Sequence, residues 1–373
     1  MINLCIFVGF DMLLPTLSLY LVDMGCSKEV IGFIFSTFAV SAVTSRLLAS
    51  RLSQKLGALP VVRVGLLLCG SGAILFFAIQ QEISYALARL LFGAGYGLTS
   101  TLIISMAAQS MPPSRLGEGV AYLGLGATVA LAIGPLVGLW LVDNYGYGIL
   151  FSAVALCYLL ATSISLTLPK VSLAAPDKSQ ASLKNTLRVL KPVFKTSLLI
   201  FVYGLAVSGV SAYLAVYCQE KSLPSAAQFF VISTIGTLAA RISSGRLYDR
   251  FGHRLVVPPA IFLIVIAILL IYLTEEAFVF YLASIIYGVG GGSLFPALQA
   301  MTLSSTPMTH RASSSALFYN AFDVGIGLGV ISLGLVAGFT QTYRTVFLWA
   351  AIFMVSIVFF YFLFFPKSRP QKT

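Results

Sequence analysis

Three charged side chains interrupt otherwise apolar stretches: Asp11 in Phe10-Asp11-Met12, Arg89 in Ala88-Arg89-Leu90, and Asp323 in Asn320-Ala-Phe-Asp323-Val-Gly325. A carboxylate at the middle of a membrane helix costs about 2.5–3.5 kcal/mol on insertion scales. It persists where it faces a cavity or a partner, and there it can take up and release a proton. Asp11 is the foremost candidate for such proton coupling, with Arg89 as its countercharge. A direct pair would oppose proton uptake, so substrate or a conformational change would have to switch it; the alternative is an ion pair that only ties helices together. Asp323 either meets substrate or interacts with Arg311 near the start of the same span. Glu118, three residues after Arg115, reads as a gate or a helix cap.

Uncharged candidates sit beside these groups. Tyr96, Phe295 and Tyr319 lie next to glycines or polar residues, and Gln299 and Asn320 need hydrogen-bond partners inside hydrocarbon. All five are candidate cavity residues. The other spanning tyrosines, Tyr20, Tyr122, Tyr203, Tyr213 and Tyr287, are of a kind that mostly faces lipid or neighbouring helices. No metal site is expected: the five cysteines (Cys5, Cys26, Cys69, Cys157, Cys218) have no ligand spacing. His253 and His310 fall in basic turns, with no Ser/His pair and no nucleotide loop nearby, so neither an enzyme nor an ATP-driven pump is expected, and no cofactor.

These residues need helices to position them. The chain is 58% hydrophobic and 9% charged, against roughly 25% charged in soluble domains. Runs of about twenty apolar residues recur, the pattern of helical spans rather than barrel strands. Twelve spans are expected: 2–22, 30–48, 60–79, 83–108, 117–141, 147–168, 197–217, 226–244, 256–273, 277–303, 313–339 and 345–365. The longest polar interruption, Pro169 to Thr196, separates a six-helix bundle over 1–168 from a second over 197–366, leaving a tail at 367–373. Most of the 23 lysines and arginines fall in alternate loops, which places both termini in the cytoplasm of a multi-pass plasma-membrane protein. The net charge of +11 is therefore assigned to cytoplasmic loops, not to nucleic acid.

The two halves repeat. Adding 195 to a first-half position carries Arg46 to Arg241, Arg51 to Arg246, Gly57 to Gly252, Gly93, Gly95 and Gly97 to Gly288, Gly290 and Gly292, and Gly134 to Gly329. A constant offset across several spans argues for a duplicated six-helix unit. By the same offset Thr196 pairs with Met1, so the lysines before span 7 have no counterpart; either the native start lies upstream or the first span is held by its neighbours alone.

The densest polar stretch is Gly245-Arg-Leu-Tyr-Asp-Arg-Phe-Gly-His-Arg254, expected as a short turn at a membrane face. Gly245 is expected to allow close helix approach and Gly252 a tight turn. This stretch, with two six-helix halves and a central basic loop, resembles the major facilitator superfamily. Its signature residues here are Gly245, Asp249, Arg250, Gly252 and Arg254; the first-half copy, Ser50 to Gly57, has Gln54 where the pattern has Asp. Arg89 with Gly93 and Gly95 resembles a second motif, and Gly134-Pro135 with Gly138 an exporter-associated one, incomplete because Leu139 replaces its last glycine. That motif is either a point of helix bending or a glycine-lined packing face.

The resemblance implies an all-α fold of twelve transmembrane helices in two pseudo-symmetric bundles. It implies a monomeric secondary transporter of a small organic solute working by alternating access, expected to be a proton-coupled exporter of drugs, amphipathic compounds or metabolites. A sugar-type or metabolite carrier, or a non-transporting sensor, is the alternative. Asp249 would pair with Arg311 in a cytoplasmic gate that also involves Arg115 and Glu118.

Overall fold

The structure is a computed structural model that describes residues 1–78, 81–110, 116–169, 183–306 and 311–365. Residues 50, 108–110, 116–125, 128, 132, 183–192, 242, 311–313 and 316 are described by backbone alone. The described residues form twelve helices: α1 Ile2–Asp23, α2 Lys28–Leu56, α3 Ala58–Ala78, α4 Glu82–Ser110, α5 Leu116–Tyr145, α6 Tyr147–Leu166, α7 Leu183–Lys221, α8 Ala226–Phe251, α9 His253–Leu273, α10 Ala277–Ser304, α11 Arg311–Thr340 and α12 Arg344–Phe364. Eleven hold a stretch long and apolar enough to cross a bilayer, and the twelfth, α5, contributes the shorter apolar helix Val129–Tyr145.

Several features make these sequences helical in an apolar setting. Serine and threonine hydroxyls return to the carbonyl three or four residues back, as Thr16 does to Met12 at 2.6 Å and Ser100 to Tyr96 at 2.7 Å. That local bond satisfies the hydroxyl within its own helix. Single glycines make the sharpest connections. Gly57 (φ +86°) joins α2 to α3, and Gly252 (φ +75°) joins α8 to α9. Both occupy the left-handed region that a side chain disfavours, and they are the same position in the two halves.

This corrects the expected turn at Gly245–Arg254. Residues 245–251 continue α8 as helix, so the reversal takes only Gly252. Nothing described lies within 4 Å of where a Cβ on Gly245 would sit, so the close approach expected there is not found. Arg241, counted with the cytoplasmic loop cations although the expected span 226–244 contains it, lies inside α8, ten residues before its end.

The chain divides into two compact units: Met1–Pro176 with Ser211–Val231 and Val330–Thr342, and Asp177–Val210 with Ile232–Gly329 and Tyr343–Thr373. In the first unit, α4 packs on both α2 and α3, while α1 packs on α5 and α6. The alternate glycines of α4 explain how one helix serves two neighbours. A Cβ on Gly93 would lie 2.5 Å from the Phe38 carbonyl oxygen of α2, whereas one on Gly95 would lie 2.7 Å from Cys69 Sγ of α3.

The second unit repeats those contacts at the same offset. A Cβ on Gly288 would collide with the Ser233 backbone, and one on Gly290 would lie 3.0 Å from the Ala260 carbonyl oxygen. Ser233 is Phe38 plus 195, and Gly290 is Gly95 plus 195. The duplication therefore extends to which backbone each glycine touches.

The far ends of α7 and α11 also belong to the first unit. There the Tyr213 hydroxyl donates to the Val330 carbonyl at 2.8 Å. A Cβ on Gly32 of α2 would lie 3.3 Å from that same oxygen, and one on Gly334 would lie 3.2 Å from the Lys28 carbonyl oxygen. This seam lies at the helix ends opposite the Gly57 and Gly252 turns.

Because Gly97 meets the Ala42 backbone at less than ordinary contact, Gly97→Val should cost about 1–3 kcal/mol, the usual range for overpacking. Gly126, whose Cβ would meet only Asn3 Nδ2, at 3.8 Å, among the described residues, should accept alanine without measurable loss. Thermal unfolding of the purified protein in detergent checks both; equal behaviour of the two variants would contradict the assigned contacts.

Candidate functional site

In the first unit, Asp11 is buried at 6% exposure on α1. Pro15, four residues later, has no N–H to bond the Asp11 carbonyl, so the backbone is loosened at this point. The Gly134-Pro135-Gly138 motif of α5 lies directly against it. A Cβ on Gly134 would lie 2.6 Å from Asp11 Cβ, and one on Gly138 would lie 2.8 Å from the Met12 carbonyl oxygen. The helix α5 runs through Pro135 without a break, and both glycines serve as a packing face against α1.

Asp11 and Arg89 do not pair. Arg89 is 1% exposed, and its guanidinium carbon sits 4.5 Å above the Phe35 ring and 5.4 Å from that of Phe38, both on α2. Its Nε and Nη2 have no hydrogen-bond partner among the described residues. A buried cation without a carboxylate is held here by ring quadrupoles. Tyr158 of α6 stands within electrostatic reach of both Asp11 and Arg89. Its hydroxyl donates to the Ile6 carbonyl of α1 at 3.0 Å, and its ring meets Phe92 edge-on at 5.3 Å.

Tyr96 completes this layer: it stacks on Phe10 at 4.6 Å and approaches Phe38 at 5.6 Å. One aromatic wall thus connects Phe10, beside Asp11 in sequence, to Phe38, beside Arg89 in space. Sequence reasoning found Asp11, Arg89 and Tyr96 but not Tyr158, Phe35, Phe38 or Phe10. A phenylalanine in an apolar helix carries no mark of the cation it will cover.

In the second unit, Phe295, Gln299 and Tyr319 come together. Gln299 Nε2 donates to the Tyr319 hydroxyl at 3.1 Å, and the Phe295 ring lies 5.9 Å from that of Tyr319. Phe295 also meets Phe322 edge-on at 5.2 Å, and Phe322 stacks on Tyr203 of α7 at 5.9 Å. Asn320 and Asp323 are half-buried on the same stretch of α11. Asn320 Oδ1 is buried without a hydrogen-bond partner among the described residues, so a donor from water or solute suits it.

At the basic turns, Asp249 and Arg250 are exposed in the last turn of α8, and Arg250 lies over its neighbour Phe251 at 5.2 Å. Arg254 belongs to the first turn of α9. His253 Nδ1 lies 2.7 Å from the Tyr361 hydroxyl, which ties this turn to the end of α12. Arg115 lies outside the described residues, and Glu118 and Arg311 belong to helices whose side chains there are not described, so the expected Asp249–Arg311 and Asp323–Arg311 contacts lie outside the described side chains. Among the described residues no group of three or more metal-ligating side chains occurs.

Twelve helices, eleven of them long and apolar enough to cross a bilayer, with isolated charges inside them, define a multi-pass membrane protein. Comparison with known proteins names the family: the major facilitator superfamily model matches residues 1–274 and 222–373, and the chain belongs to that superfamily. It is 23% identical to the staphylopine export protein of Staphylococcus aureus, covering 94% of this chain and 91% of the relative. It is 25% identical to the multidrug resistance protein MdtG of Salmonella choleraesuis, over 92% of this chain and 89% of that one. Among solved structures, a mutant of the nucleoside transporter NupG matches with a TM-score of 0.82 at 17% identity, over 98% of each chain. At that identity the likeness is one of fold. The protein is a multi-pass membrane transporter of a small-molecule substrate, not an enzyme.

If Arg89 is held by rings and not by Asp11, the two positions should respond differently to substitution. Arg89→Lys removes the planar group that stacks on Phe35 and Phe38 and should lower the unfolding temperature clearly, since a desolvated cation–π contact is worth about 2 kcal/mol. Asp11→Asn should leave it nearly unchanged. Scanning fluorimetry of both variants decides this: comparable losses would restore the ion pair.

Proposed function

We propose that the protein is a proton-coupled exporter of small organic solutes. The observation that carries this reading is the setting of Asp11, a buried carboxyl on α1 with no ion pair among the described residues. Such a group must have its charge matched by a proton or by a cation from solution. The glycine face of α5 against it supports a coupled movement, because α1 and α5 touch backbone to backbone at that level and neither can shift alone. The outward direction is supported by the relatives: one is named for staphylopine export and another for multidrug resistance.

In this reading Asp11 carries the proton, and its charge state decides when solute is bound and when it is released. A proton entering from outside neutralises Asp11, and its release to the inside accompanies solute expulsion. The two six-helix halves, 1–168 and 197–366, would rock about a midplane site. The seam of Gly32, Gly334 and Tyr213 would be the closed outer gate, and the Asp249 turn the cytoplasmic latch. Both termini would lie in the cytoplasm, following the distribution of lysine and arginine.

The test uses proteoliposomes containing a pH-sensitive dye and a panel of amphipathic solutes. Proton movement should accompany transport in the wild type. Asp11→Asn should retain solute binding and lose accumulation driven by a pH gradient, at least tenfold. Transport against a gradient at the normal rate in Asp11→Asn, or active transport without proton movement, would remove Asp11 from the mechanism.

The latch has its own consequence. Asp249→Asn should slow transport several-fold without weakening solute binding, and Gln54→Asp should be nearly neutral. Parallel loss of binding and transport in Asp249→Asn would make the turn a purely structural feature.

A further inference from the structure

Arg241 has no place in the reading above, yet it is the most unusual charge in the second unit. It lies on α8 ten residues before Phe251, which at 1.5 Å per residue is about 15 Å along the helix from its basic end. It is nonetheless exposed on its own unit. Among the described residues it makes neither a hydrogen bond nor an ion pair. An arginine facing lipid at that depth would cost about 2.5–3.5 kcal/mol, so this face of the bundle meets water.

Its surroundings come from three other helices. The charge stands within electrostatic reach of the phenols of Tyr203 on α7 and Tyr319 on α11. Behind those phenols runs the shelf of Tyr203, Phe322, Phe295 and Tyr319, whose successive ring centroids are 5.9, 5.2 and 5.9 Å apart. Gln299 of α10 fixes the Tyr319 hydroxyl at 3.1 Å. A Cβ on Gly291 would lie 3.2 Å from the Tyr203 hydroxyl, so a larger residue there would press on that phenol.

We infer that Arg241 and the Tyr203–Phe322–Phe295–Tyr319 shelf form a subsite for the carboxylate and the flat apolar body of an organic acid. Guanidinium matches a carboxylate in planar, bidentate geometry, and offset ring stacking suits a planar body. The Tyr203 and Tyr319 phenols, both within electrostatic reach of the guanidinium, would add polar contacts to the same group. This subsite rests on reading the chain as a carrier of small organic solutes, and it specifies the class: amphipathic monocarboxylates. It does not depend on which way they travel or on proton coupling.

Binding is measured on the full-length protein in detergent, with no gradient, so that the result is independent of Asp11. The probes are indole-3-acetate and 2-naphthoate against their neutral amides and the matching amines. The wild type should bind the carboxylates at least about tenfold more tightly than the amides, the scale of one charge-assisted hydrogen bond. Arg241→Gln should abolish that preference while leaving amide binding as it was, and Arg241→Lys should keep part of it. The wild-type comparison needs no variant, so a poorly folded Arg241→Gln does not block the test. Equal binding of acid and amide by the wild type, stronger binding of the amine, no binding of any probe, or an unchanged preference in Arg241→Gln would each overturn the assignment.

Discussion

A charge inside a bilayer survives only where protein or water, and not lipid, surrounds it, and much of this structure follows from how that requirement is met. Arg89 is covered by Phe35 and Phe38, so protein takes the place of water. Asp11 is walled by the α5 glycines, with Phe10 beside it carrying the stack to Tyr96. Arg241 is left open, beside phenols and not beneath rings. The three solutions differ in what they permit. A ring-covered arginine is fixed and shapes the bundle. A carboxyl without an ionic partner can change charge, and an open arginine can bind.

Close helix packing makes these arrangements possible. Membrane helices gain little from hydrophobic burial against one another, so contact depends on small residues that let backbones meet. Gly93 and Gly97 on one side of α4, with Gly95 on another, bring α2 and α3 against it. This places Phe38 of α2 where it can touch both Tyr96 and Arg89 of α4. Substituting any of these glycines would move the rings that cover the charge. The scaffold and the site are in this sense one set of contacts.

The elements were legible in the sequence because span length, glycine spacing and the offset of 195 are properties of single helices or of the repeat. Asp11, Arg89 and Gln299 stood out because polarity inside an apolar run demands a partner, and Tyr96, Phe295 and Tyr319 because they sit beside glycines or polar residues. Partnership was not legible. The expected Asp11–Arg89 pair rested on opposite charge, and the structure instead gives Arg89 to aromatic rings, which sequence does not distinguish from lipid-facing ones. Arg241 was hidden by its neighbours: four arginines between 241 and 254 read as one loop, although helix α8 extends seven residues past the expected end at 244. A tighter accounting of helical period would have put Arg241 one turn deeper than Gly245, on the same face. The gate pairing with Arg311 rests on side chains that are not described.

Comparing the halves position by position separates scaffold from chemistry. The glycines that join helices recur at the offset of 195, and so do the backbones they touch. The deep charges mostly do not. Asp11 corresponds to Ala206, Arg89 to Ser284, and Asp323 to Thr128. Only Arg241 has a charged counterpart, Arg46, and that arginine is half-buried with Nη2 on the Ser100 hydroxyl at 3.4 Å, whereas Arg241 stands exposed. A duplicated unit therefore kept its packing and diverged in its polar residues. The first half holds an enclosed carboxyl and an enclosed guanidinium, a setting suited to a small ion such as a proton. The second half holds an open guanidinium on an aromatic shelf, a setting suited to a larger solute. Under the proposals above, divergence of this kind lets one fold assign the coupling ion and the solute to different halves.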